Sequence, residues 1–146
     1  DHVGSTAVPG LDARDVIDVQ VTVESLEVAD DLAGDLLRAG YPRVPPISSD
    51  APLQPPGSPP ETQWGKRFHA SADPGRPTHV HLRVEGQPNQ RFALLFRDWV
   101  AANPGVRADY LAAKRAMSGR PGEMTRWLTE AYPRAWAWAQ SSRWTP

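Results

Sequence analysis

The sequence predicts a mixed α/β domain of the α+β kind, one mixed sheet flanked by helices with a helical C-terminal segment. Two observations carry that class. The stretch 15–23 alternates with a period of two, placing Val16, Asp18, Gln20 and Thr22 on one face and Ile17, Val19, Val21 and Val23 on the other. Phe92, Leu95, Phe96, Trp99 and Val100 recur at i, i+3, i+4, i+7 and i+8, the spacing of an amphipathic helix. Read in order, the chain runs strand, helix, strands, helices, which calls for helices packed on one sheet. A length of 146 residues predicts a single domain over 1–146.

Element by element, His2 to Gly10 holds two glycines and a proline, a tight loop ahead of the strand. Ser25 is positioned to cap a helix of about 14 residues carrying Leu26, Ala29, Leu32, Ala33, Leu36 and Leu37, with Gly40 as its stop. Eight prolines between Pro42 and Glu61 forbid a continuous helix or a central strand, so 42–61 is expected to be a proline-rich inserted loop. Two strands follow, 64–71 and 78–85, joined by the turn Asp73-Pro-Gly-Arg-Pro77. In the second, His79, His81 and Arg83 share one face, and Val80, Leu82 and Val84 the other. Asn103-Pro-Gly105 ends the helix of Phe92. A second helix carries Tyr110, Leu111, Lys114 and Met117, and a third opens at Pro121. Pro133 is expected to start or kink a last segment bearing Trp136, Trp138 and Trp144. Those tryptophans read as core, or as a surface for a partner domain.

Composition removes several functions. Sixteen basic against 17 acidic residues give a net charge of −1, without the basic footprint of a nucleic-acid binder. With no cysteine, disulfide scaffolds, thiolate zinc sites, iron–sulfur clusters and cysteine nucleophiles are excluded. No apolar run approaches the ~18 residues of a membrane span, and no leader opens the chain, so a cytoplasmic location is expected.

Three groups of residues can carry chemistry. Gly4, Ser5 and the adjoining Thr6 form a turn whose N–H groups and hydroxyls suit a phosphate. Twelve residues separate Ser5 from Asp18 on its strand, where a carboxylate can hold Mg²⁺ against that phosphate, or can instead bond the N–H groups of the loop. His79 and His81 project from one strand face, as metal-ligand pairs do or as metal-free rings hydrogen-bonded on a polar sheet face. With Asp18 on a neighbouring strand they would complete a two-histidine, one-carboxylate set, and His2 can join them or cap the loop. Arg97 and Lys114 lie on successive helices and can hold an anion. Asp98, next to Arg97, offers a salt bridge instead.

The segments HVGSTAVPGL, VIDVQVTV, HVHLRV and LLFRDWVAANPGVRADYLAAKR, in that order from His2 to Arg115, resemble the GrpB-like family. The resemblance implies a nucleotidyltransferase-like fold that handles a nucleotide or another phosphorylated small molecule, with Asp18 as the catalytic carboxylate if the domain is active. It also implies a position appended to a dephospho-CoA kinase, so that a kinase domain would precede it in the same chain. The helix that family members carry before this motif is missing here. Gln20 stands where active nucleotidyltransferases place a second carboxylate, and no third is apparent, so the expectation is binding with weak or no catalysis. An active metal-dependent nucleotidyltransferase and a ligand-free interaction module are the alternatives.

Overall fold

The computed structural model describes residues 1–53, 61–117 and 121–146. Four strands form one mixed sheet, β1 (His2–Val3), β2 (Ile17–Val23), β3 (Lys66–Ala70) and β4 (Thr78–Val84), in the order β1-β2-β4-β3. β2 and β4 run parallel with Asp18 opposite His79 and Gln20 opposite His81, while β1 and β3 lie antiparallel on the flanks. Period-two alternation therefore brings the polar faces of two sequence-distant strands side by side.

The apolar face is covered by two short helices, α1 (Leu26–Asp31) and α2 (Ala33–Arg38). Val23, Val80 and Leu82 pack there against Ala29, with Leu32 and Leu36 alongside. Ser25 caps as expected, its Oγ accepting from Val28 N at 3.3 Å. The single helix expected over this stretch is instead broken at Leu32. Asp30 and Asp31 put carboxylates at the negative end of the α1 dipole, and Gly34 weakens the next turn, so one uninterrupted helix is disfavoured.

A second core forms among α3 (Pro88–Ala102), α4 (Pro104–Ala116) and α5 (Pro121–Ser142). Leu95, Trp99, Val100, Ala131 and Ala135 are buried in it, with Phe96, Tyr110, Trp127 and Trp136 packed against them. Asn103 ends α3 as its sequence predicts. Pro133 does not begin or end an element: it lies inside α5, which continues on both sides of it. The proline removes one backbone N–H, and the aromatic packing on both sides outweighs that loss. Trp136 and Trp144 belong to this core, and Trp144 Nε1 donates to Asp98 Oδ2 at 2.9 Å.

The expectation of an inserted loop over 42–61 fails for its first part; residues 54–60 lie outside the described residues. Val44 N donates to Phe68 O, Lys66 N to Ser48 O and Asp50 N to Trp64 O, so this run lies hydrogen-bonded along the outer side of β3. Leu53 is buried in the helical core. Proline forbids a central strand here, yet leaves enough N–H groups for isolated bridges.

Candidate functional site

On the polar face Asp18 is the hub. Its Oδ1 lies 3.2 Å from His79 Nδ1 and 3.4 Å from His81 Nε2. The three donor atoms fall within 4.8 Å of one another, so the parallel register assembles the set read from the sequence. Burial alone would raise the Asp18 carboxyl. The hydrogen bond and charge of His81, then those of His79, outweigh burial and hold it below the ordinary aspartate range. Burial pushes the His81 imidazole down, opposed in part by its bond to Asp18.

Gly4 explains itself through Asp18. Its φ of 73° and ψ of −168° belong to a region reserved for glycine, and a Cβ there would overlap Asp18 Oδ2. Glycine thus lets the loop pass directly over the carboxylate. Ser5 Oγ accepts from Lys114 Nζ at 2.9 Å and lies 3.4 Å from the Tyr110 hydroxyl. These side chains line a cleft of about 850 Å³ together with Arg14, Asp18 and His79. Burial, then the nearby charge of Arg14, lowers the Lys114 ammonium below its ordinary range.

The structure thus brings Ser5, Asp18, His79 and Lys114 into one cleft and leaves other sequence candidates outside it. The Thr6 hydroxyl donates to Val16 O at 3.2 Å and meets His2 Nε2 at 2.9 Å, so both residues fasten the loop. Arg97 donates to Asp98 at 2.7 Å and to His2 O at 3.1 Å, joining α3 to β1 and lining neither cavity beside Asp18. Gly4 and His81 line a smaller cavity of about 290 Å³, which Asp18 and Tyr110 also border. Arg14 was not singled out by sequence; its place between the Gly-Ser loop and the Asp18 strand was the available signal.

Behind His81 lies a buried network that the sequence did not disclose. Asp50 accepts from Lys66 Nζ at 2.5 Å, from Arg83 Nε at 2.8 Å and from Asn89 Nδ2 at 3.2 Å. The charges of Arg83 and Lys66 overcome burial and hold the Asp50 carboxyl far below its ordinary range. Gln20, 1% exposed, belongs to this network: Arg83 Nη1 donates to its Oε1 at 2.8 Å, and its Nε2 donates to Gln90 O at 3.2 Å. Its amide is committed to the interior and does not stand beside Asp18 as a spare ligand. The donor set therefore does not fit Mg²⁺, which prefers six oxygens and here meets one carboxylate and two imidazoles.

A mixed four-stranded sheet, with a glycine loop crossing an aspartate strand beneath a helical layer, defines a nucleotidyltransferase-like α/β domain. The chain belongs to the GrpB family, described as GrpB protein, which it matches over residues 1–135. GrpB from Enterococcus faecalis, a solved structure, is 25% identical and superposes with a TM-score of 0.62 over 99% of this chain and 81% of that one. A dephospho-CoA kinase of Mycobacterium leprae is 52% identical over 99% of this chain and 40% of its own length. One from Mycobacterium tuberculosis strain H37Rv is 53% identical over all of this chain and 40% of its own. A UPF0157 protein of Streptomyces coelicolor is 33% identical over 83% of this chain and 55% of its own. The chain thus spans about two-fifths of the kinases it matches. Among the described residues no helix is long and apolar enough to cross a membrane.

Proposed function

We propose that this GrpB domain binds a phosphorylated small molecule, a nucleotide or related phosphate ester, with weak or no catalysis of its own, as an appended part of a dephospho-CoA kinase chain in the cytoplasm. One observation carries the ligand class: Lys114 Nζ bonded to Ser5 Oγ at 2.9 Å in a cleft that Arg14 also lines. Two cations and a hydroxyl converging on one concavity are the chemistry of phosphate recognition. The weak-catalysis part rests on Gln20, whose amide is taken by Arg83 and Gln90, so the strand offers a metal one carboxylate where transfer chemistry uses several. The kinase association rests on the mycobacterial relatives, of which this chain matches two-fifths. A thermal-shift series with nucleoside triphosphates and coenzyme A precursors, with and without Mg²⁺, tests the reading. Melting should rise with ligand by mass action, independently of Mg²⁺, and Lys114→Ala should suppress the rise. No response to any of them at millimolar concentration would leave the interaction module as the better account.

A further inference from the structure

We propose that Asp18 is a histidine-orienting residue rather than a metal ligand, and that it leaves His79 Nε2 as the hydrogen-bond acceptor the cleft presents to a ligand hydroxyl or a water. Spacing alone would suit a metal: at bond lengths of about 2.0–2.1 Å, tetrahedral donors sit roughly 3.3 Å apart, and Asp18 Oδ1 is 3.2 and 3.4 Å from the two ring nitrogens. The hydrogen-bond chemistry argues otherwise. His81 Nδ1 lies 3.2 Å from Lys66 Nζ and 3.4 Å from Arg83 Nη2. Ammonium and guanidinium groups only donate, so this nitrogen must accept, and the neutral ring carries its proton on Nε2, aimed at Asp18. A metal on Nε2 would force the proton onto Nδ1, against two cations. Metal-bound histidines need the reverse, an acceptor at the second nitrogen.

Lys66 and Arg83 are 5% and 7% exposed and are paired with Asp50, so neither can swing away without leaving that carboxylate buried and alone. His79 then takes the opposite tautomer. Its Nδ1 meets the same carboxylate oxygen and donates to it, while Phe68 packs edge-on against the ring at 5.1 Å and fixes its plane. Nε2 is the remaining lone pair, on a side chain that is 41% exposed and lines the Lys114 cleft. A carboxylate fixing the tautomer of an imidazole that faces a ligand is a recurrent arrangement in acid–base sites. The role toward a ligand rests on the phosphate reading above; the tautomers do not.

The experiment is long-range ¹H–¹⁵N spectroscopy of the histidine rings in the unliganded protein, followed by titration with Zn²⁺ alone. Expected are a proton on Nδ1 of His79 and on Nε2 of His81, loss of the His79 preference in Asp18→Ala, and no one-to-one response to Zn²⁺. A His79 ring protonated at Nε2 in the native protein would overturn the proposal. So would stoichiometric Zn²⁺ binding that shifts both rings and disappears in His79→Ala. The native spectrum keeps the test decisive should Asp18→Ala fail to fold. Because no phosphate ligand is used, failure here is distinguishable from failure of the phosphate reading, which the thermal-shift series addresses.

Discussion

The two faces of the sheet are held by different physics. Beneath α1 and α2, Val23, Val80 and Leu82 are buried against Ala29, and polar groups at the margin are settled locally, as in the pair of Arg67 with Asp30. Across the same strands, one residue along, Gln20, Lys66 and Arg83 are equally buried but held in a hydrogen-bonded network around Asp50. Apolar contacts lose strength gradually when trimmed. A buried charge network fails when one member leaves, because the partners stay desolvated and unpaired.

Substitution should expose that difference. Asp50→Ala strands Lys66 and Arg83 and should cost about 3–5 kcal/mol in denaturant unfolding at pH 7. Leu82→Ala on the opposite face should cost about 2–5 kcal/mol through transfer and cavity terms. pH separates the two. The Asp50 carboxyl is held below its unfolded-state value, so its contribution is present above about pH 4 and vanishes as pH falls through the folded value. The deficit of Asp50→Ala should therefore shrink in acid, while that of Leu82→Ala should not track Asp50. Equal pH dependence in the two variants would erase the distinction between the faces.

The native protein adds a milder effect. His81 is lowered by burial, so its neutral form stabilises fully above the unfolded histidine value, and that contribution is lost as pH falls towards the folded one. Stability should already decline between pH 7 and 5, and His81→Gln should flatten that part of the profile. Gly4→Ala, forced into a glycine-only conformation against Asp18, should cost about 1–3 kcal/mol in the same assay. Smallest of all, Lys114→Ala at the cleft should change stability by no more than about 0.5 kcal/mol. Its effect should appear in ligand-dependent melting instead. A large loss of stability there would mean that the lysine belongs to the scaffold.

How much of this the sequence disclosed also divides by face. Alternation in 15–23 and 78–84 announced which side chains of β2 and β4 are apolar and which polar, and pairing the strands in parallel was enough to bring Asp18 to His79 and His81. Spacing could not reveal which polar residues are buried. Gln20 looks like a failed metal ligand until Arg83 and Gln90 are seen on either side of its amide. Asp50 sits in a proline run with no periodicity, so its role depends wholly on contacts with residues 16, 33 and 39 positions away. At Arg97 adjacency in sequence was the better guide. An arginine in an apolar helix left open an anion site or a salt bridge with the adjacent Asp98, and Asp98 with the His2 carbonyl accounts for its guanidinium.

The run beside β3 has a further consequence, for self-association. An uncovered outer strand offers a row of N–H and C=O groups on which a second molecule can add a strand. Here Val44, Ser48 and Asp50 use those of Phe68, Lys66 and Trp64, while Pro42, Pro45, Pro46 and Pro52 deny the covering segment a regular ladder of its own. Proline that looks like filler in the sequence therefore sits in a segment that already occupies the outer groups of β3.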